Sequence, residues 1–196
     1  LLDFSRIQRG AEEMVYDTMD PVECARTSIQ IVKPVADTRN DRLELESPGM
    51  EDGSYARVLV EGDKGKLGQV FNNLLSNAVK FNESGGQVTI TLTLTEVEVE
   101  VAVSDTGIGI PVEAHDKIFT RFYQYDASST RKYGGTGIGL SISQDIMRLH
   151  GSRITVSSEP GRGSTFRFSL PLSGMSRERK KDSEHLPLPI ETRELI

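Results

Sequence analysis

One cysteine in 196 residues, Cys24, excludes an internal disulfide and a cysteine-held zinc cluster, and it suits a reducing compartment. Long apolar runs are also missing. Nothing approaches the roughly 18 residues that a membrane span requires, and no secretory signal pattern opens the chain. Basic charge is not in excess: 23 Lys and Arg stand against 29 Asp and Glu, a formal net charge of -6. There is thus no general electrostatic pull toward nucleic acid or anionic lipid, and any basic site must be local. No internal repeat is visible. What is present is the composition of a soluble globular protein, 36% hydrophobic and 27% charged with 18 glycines. The length suits one substantial domain with appendages. The chain opens on Leu1, inside a helical pattern, and is expected to be a piece of a longer protein.

Leu1, Phe4 and Ile7 recur at helical spacing before Gly10 and predict a helix end. Asp20-Pro21-Val22-Glu23 is a helix start, with Asp20 as cap, Pro21 in the first turn and Glu23 completing a capping box. That helix is expected to reach about Asn40, with Pro34 kinking it or tolerated near its end. Val58 to Glu61 reads as a short strand. Asp63 caps the next helix, which Gly85-Gly86 terminates. From Gln87 to Asp105, Val88, Ile90, Leu92 and Leu94 alternate with threonines, and Val97, Val99, Val101 and Val103 continue the alternation. This predicts a hairpin joined at Thr95-Glu96. Residues 106–139 are polar and glycine-punctuated, too long for a simple connection. A helix over 138–150 follows, with Ile142, Ile146 and Leu149 on one face and Gly151 at its end. Ile154 to Val156 then pairs with Thr165 to Leu170 around the turn Glu159-Pro160-Gly161-Arg162-Gly163. The predicted fold is a two-layer α/β (α+β) sandwich: one mixed, mostly antiparallel sheet backed by about three helices. After Pro171 a charge run and Leu186-Pro187-Leu188-Pro189 predict a flexible tail or interdomain linker.

Three segments carry chemistry. In VFNNLLSNAVKF, residues 70–81, an apolar stripe runs beside Asn73, Asn77 and Lys80, spaced i, i+4, i+7 on one helical face. An amide oxygen is a hard neutral ligand of the kind Mg²⁺ accepts beside water and phosphates, and an ammonium is a phosphate counter-charge. The same amides can instead cap neighbouring backbone, with Lys80 solvated. In Asp105-Thr106-Gly107-Ile108-Gly109-Ile110, a carboxylate at a strand end precedes glycines that let a flat ligand approach the main chain. Taken alone, this is equally a strand-ending turn capped by Asp. Gly134-Gly135-Thr136-Gly137-Ile138-Gly139-Leu140 opens a helix, where successive N–H groups and the helix dipole form an anion cradle. It could also be a glycine hinge. It lacks the Lys-Ser/Thr ending of a Walker loop and follows no strand as a dinucleotide fingerprint does.

Together, QVFNNLLSNAVKF, SDTGIGIP, IFTRFYQYD and GGTGIGLSIS resemble, in order, the N, G1, F and G2 boxes of the ATP-binding domain of sensor histidine kinases. The likeness runs from about Asp20 to Leu172 and ends on EPGRGSTFRFSLPL, which is similar to the family's last hairpin. It implies the Bergerat sandwich shared with gyrase and MutL, with ATP and Mg²⁺ as cofactors. Carried over, Asp105 would hold the adenine amino group, in a pocket shaped by Gly107 and Gly109 with Ile108, Ile110 and Phe81. Asn77 would ligate Mg²⁺, Asn73 would support the metal and phosphate region, and Lys80 would contact phosphate. Gly135, Thr136, Gly137, Ile138, Gly139 and Leu140 would wrap the phosphates. Arg131 matches a basic lid position near the γ-phosphate, and Thr165 a position near the adenine end. Phe119 and Phe122 fall in the F box, where a plain core role is the competing reading. One departure is Ser152, where the family commonly has a second glycine.

The resemblance implies a domain division: 1–14 as the end of a dimerisation and phosphoacceptor helix, 15–172 as the catalytic ATP-binding domain, and 173–196 as the tail. Hydrolysing members of the superfamily, and its serine kinases, place a Glu four residues before the metal-binding Asn as general base. Here that place holds Asn73, which cannot take a proton. The reading is therefore phosphoryl transfer to histidine, with Asn73, Lys80 and Arg131 as the catalytic set, acting by positioning and charge neutralisation. A degenerate nucleotide-binding scaffold and an ATPase of the same superfamily are the alternatives. Of the three histidines, His115 precedes an acid but lies in no long helix, His150 closes a helix and His185 is in the tail. The acceptor is expected to lie outside the chain. The expected partners are a phosphoacceptor/dimerisation domain and a response-regulator receiver domain, with no nucleic acid and no membrane contact by this part. It is expected to be monomeric and cytoplasmic, the parent a homodimer with or without a membrane anchor.

Overall fold

A computed structural model of the chain describes residues 14–47, 58–125 and 136–173. Five strands form the main sheet: β2 (Arg42–Glu46), β4 (Gln87–Leu94), β5 (Glu98–Asp105), β6 (Thr155–Glu159) and β7 (Gly163–Pro171), in the order β2-β4-β5-β7-β6. All neighbours run antiparallel except β2, which lies parallel to β4. A two-stranded ladder of β1 (Asp17–Met19) and β3 (Val60–Gly62) adjoins the end of β7 through an isolated antiparallel bridge from Val60 to Leu172. Three α-helices among the described residues back the sheet: α1 (Pro21–Thr38), α2 (Lys64–Phe81) and α3 (Gly139–Leu149).

The predicted two-layer sandwich is the observed one. Asp20 caps α1 by accepting from the Val22 N–H, and Asp63 caps α2 by accepting from the Lys66 N–H. Strand alternation sets the layers. Val88, Ile90 and Leu92 of β4, Val99, Val101 and Val103 of β5, and Phe166, Phe168 and Leu170 of β7 are all buried. They meet Leu67, Val70, Phe71, Leu74, Leu75, Ala78 and Val79 of α2. Phe71 packs edge-on against Phe168 at 5.6 Å between centroids. This packing removes the apolar stripe of α2 from water and fixes the helix's rotation about its axis.

Three expectations need correction. Strand β2 was not anticipated; Leu43 and Leu45 are only partly buried at the sheet's edge, so its alternation is weak. The strand expected at 58–61 is Val60–Gly62; it forms a ladder with β1 and meets the end of β7 through a bridge from Val60 to Leu172. Helix α1 ends at Thr38 with Pro34 tolerated near its end, as expected. Leu149 is 53% exposed, so the inner face of α3 is carried by Ile146 and Met147, with Leu140 and Ile142 partly buried. The expectations for 1–13 and for the tail beyond 173 lie outside the described residues.

Candidate nucleotide site

Packing of the α2 stripe leaves Asn73, Asn77 and Lys80 half-buried along the stripe's edge. All three line one cavity of about 650 Å³, closed by the loop after β5, the start of α3 and the β6–β7 turn. That volume is in the range of small-molecule sites, roughly 300 to 1,000 Å³.

At one end is Asp105, the last residue of β5, paired with Val88 on one side and Ser164 on the other. Its Oδ1 accepts the backbone N–H groups of Gly107 at 2.8 Å and Ser164 at 3.3 Å. Its Oδ2 accepts no hydrogen bond among the described residues. Burial raises the carboxyl pKa above its ordinary value, and the two N–H donors pull it partly back. One carboxylate, held at Oδ1 and desolvated, thus lines the cavity.

The loop after Asp105 is fixed from two sides. Ile108 donates its N–H to the Phe81 carbonyl at the end of α2 (3.2 Å), and the Ile108 carbonyl accepts from the Gly161 N–H in the β6–β7 turn (2.8 Å). Gly109 has φ +68° and lies against the Glu159 carbonyl, so a side chain fits neither the backbone conformation nor the space. Ile108, Ile110, Ile118, Leu140 and Phe166 supply an apolar wall.

The other end is polar. Asn77 makes no side-chain hydrogen bond among the described residues. The Lys80 ammonium makes no ion pair among them either; it stands 4.7 Å from the centroid of the Phe81 ring, and burial lowers its pKa. Asn73 donates from Nδ2 to the Ser143 hydroxyl at 2.9 Å. Gly137, at φ +67°, accepts the Phe122 N–H on its carbonyl at 2.8 Å, which ties the second glycine segment to the segment before it. Ile138 precedes α3 with no side-chain cap. The helix therefore presents its first turn without a protein acceptor on that side chain.

Of the site residues expected from sequence, Asn73, Asn77, Lys80, Phe81, Asp105, Ile108, Gly109, Ile110, Thr136, Gly137, Gly139 and Leu140 line this one cavity. Gly107 stands just behind it, donating to Asp105, with the Phe81 carbonyl where a side chain would be. Ile138 supplies the turn into α3 rather than the wall. Thr165 is a correction: it sits on the other face of β7, its hydroxyl 3.0 Å from that of Ser104. Ser164 holds the place instead, lining the cavity and bonding Asp105. Counting back by two from Phe168 and Phe166 identifies it. Pro111, Tyr123, Gln124, Tyr125 and Pro160 also line the cavity and were not anticipated. Arg131 and Gly135 lie outside the described residues. Phe119 packs edge-on against Phe166 (6.5 Å), whereas Phe122 is 65% exposed.

The two described histidines are structural. His115 Nε2 lies 3.0 Å from the Ile110 carbonyl. His150 is held by the Ile146 carbonyl and the Asp63 N–H.

The description of histidine kinase-, DNA gyrase B- and HSP90-like ATPases matches residues 62–174. The sensor histidine kinase WalK of Bacillus subtilis (strain 168) is 44% identical over 116 residues, covering 58% of this chain and 19% of that protein. The chain thus spans about a fifth of that relative's length. The solved catalytic domain of histidine kinase ThkA superposes with a TM-score of 0.69 at 27% identity, over 81% of this chain and 96% of that one. Full-length ShkA in complex with AMPPNP gives 0.73 at 28% identity, over 87% of this chain and 34% of that one.

Proposed function

The chain belongs to the histidine kinase-, DNA gyrase B- and HSP90-like ATPase family, and we propose that it presents the γ-phosphate of Mg-ATP to a histidine on a separate phosphoacceptor domain. The carrying observation is the convergence on one cavity of a desolvated carboxylate, Asp105, and at the polar end an ammonium and two amides with no carboxylate among them.

Each residue's part follows from its chemistry. Asp105, with Oδ2 uncommitted, takes the exocyclic amine of adenine, and the apolar wall takes the ring. Lys80, with no ion pair among the described residues, neutralises phosphate oxygens, which in turn restores the usual basicity of its amine. No group of three or more His, Cys, Asp or Glu that could cage a metal occurs among the described residues. The amide of Asn77 is the kind of donor that fits Mg²⁺, an ion that keeps several waters and takes the rest of its shell from substrate phosphates. Bound there, the ion would spread the negative charge of the phosphates during transfer. At position 73 an amide stands where a general base would have to be. The site then holds ATP without activating water, and suits an imidazole, which attacks without losing a proton first. The phosphoacceptor/dimerisation domain and a response-regulator receiver domain are the partners this reading assigns. No helix among the described residues is long and apolar enough to cross a membrane.

The test is transfer in trans. Incubated with γ-labelled ATP, Mg²⁺ and the phosphoacceptor domain of a sensor histidine kinase, the chain should label that domain in an acid-labile, base-stable form. An acid-stable label would overturn the assignment to histidine.

A further inference from the structure

We propose that Ser143 is a positioning residue for metal recognition, holding the Asn73 amide so that its oxygen is kept at the cavity. The inference rests on the nucleotide-binding reading and assigns a part to a residue outside the cavity wall.

Ser143 is fully buried on α3, one helical turn after Gly139. Its hydroxyl accepts from Asn73 Nδ2 at 2.9 Å. On the other side, Asn73 Oδ1 occupies the space where a side chain on Gly139 would begin. Residues 139 and 143 are i and i+4, on one face of α3. The amide is therefore clasped between two points of that face, its nitrogen end at Ser143 and its oxygen end at Gly139. Both Asn73 and Gly139 line the cavity, where Ser143 does not.

Orientation matters because the two ends of an amide are chemically opposite. The oxygen accepts from water or ligates a hard cation, and the NH₂ end can do neither. Among the described residues the bond to Ser143 is the one hydrogen bond of the Asn73 side chain. A serine hydroxyl can give as well as take, so it fixes the amide's plane. The close approach of Gly139 fixes its sense, since a Cα–H favours oxygen over NH₂. Partners one step removed from a ligand typically set its affinity by about ten- to a hundredfold.

The adenine end, built on Asp105, is untouched by this arrangement, so losing the Ser143 hydroxyl should act through the metal alone. Calorimetric titration with AMPPNP, in Mg²⁺ and again in EDTA, reads that split. Ser143→Ala should weaken binding in Mg²⁺ by about tenfold and change it by less than about twofold in EDTA. Ser143→Thr should restore it. In an Asn73→Ala background, Ser143→Ala should add nothing. Ser143→Cys keeps the volume with a poor acceptor and gives the same split where Ser143→Ala unfolds. An equal loss with and without Mg²⁺, an undiminished Mg²⁺-dependent affinity, or a loss that persists beside Asn73→Ala would overturn the proposal. Absence of binding by the unaltered chain overturns the nucleotide reading itself, so the two failures are distinct.

Discussion

The backbone N–H of Gly107 donates to Asp105 Oδ1 at 2.8 Å, two residues after the carboxylate it holds. Asp105→Asn can keep that bond with its amide oxygen, but it places an NH₂ group where Oδ2 stood. Donor would then face donor at the adenine amine. Nucleotide affinity should fall about ten- to a hundredfold, the range for a hydrogen bond to a charged group. Stability should not fall with it. A raised carboxyl pKa contributes stability that is fully present below the ordinary value of 3.8 and is lost as pH rises through the folded value. At neutral pH the buried charge therefore opposes folding, and the variant should melt at an equal or higher temperature. For the unaltered chain, affinity should decline on acidification already above the ordinary carboxylate range, as the acceptor is protonated.

Lys80 lines the same cavity as Asp105 and makes no ion pair among the described residues. Lys80→Ala should cost affinity in the order ATP, then ADP, with adenosine unaffected. A loss of about tenfold for ATP is expected. Competition titrations with the three ligands check it; an equal loss for adenosine would show that the lysine shapes the fold rather than meets phosphate.

His150 ties α3 to the start of α2. Its Nδ1 donates to the Ile146 carbonyl at 2.8 Å, its Nε2 accepts the Asp63 N–H at 3.0 Å, and Tyr16 lies against the ring at 5.6 Å between centroids. The ring is neutral in this arrangement, and burial first lowers its pKa, against smaller opposing effects of the Ile146 carbonyl and Asp63. A depressed pKa gives stability that is present above the ordinary 6.5 and lost as pH falls through the folded value. Melting curves taken from about pH 7.5 down to 5 should show a loss. His150→Ala should be less stable by about 1–3 kcal/mol at the upper end and flatter across the range. An unchanged slope would place the titrating group elsewhere.

The proposed transfer to histidine rests on the amide at position 73. The isolated chain in Mg-ATP should release no phosphate in a sustained manner, because Asn73 cannot deprotonate water. A phosphate-release assay with steady turnover, abolished by Asp105→Asn, would contradict the assignment to histidine transfer and favour an ATPase.

Much of this fold and site is legible in the sequence. The 88–103 alternation and the caps at Asp20 and Asp63 are local signals, and strand pairing and helix starts follow local signals closely. The polar file on α2 was legible because its neighbours at 70, 71, 74, 75 and 78 had to face the core. Strand β2 was not, since a short edge strand has little burial to imprint on its sequence. Thr165 was misplaced by a single step along β7, and a step of one reverses the face. Ser143 was invisible for a different reason: its importance lies in a bond to a residue 70 positions away, and no pattern within α3 encodes it.

The most direct measurement is calorimetry of ATP binding to this chain with and without Mg²⁺. The account expects saturable, 1:1 binding that Mg²⁺ tightens and that Asp105→Asn and Lys80→Ala weaken from opposite ends of the cavity. No heat of binding for ATP or ADP at millimolar nucleotide would contradict it.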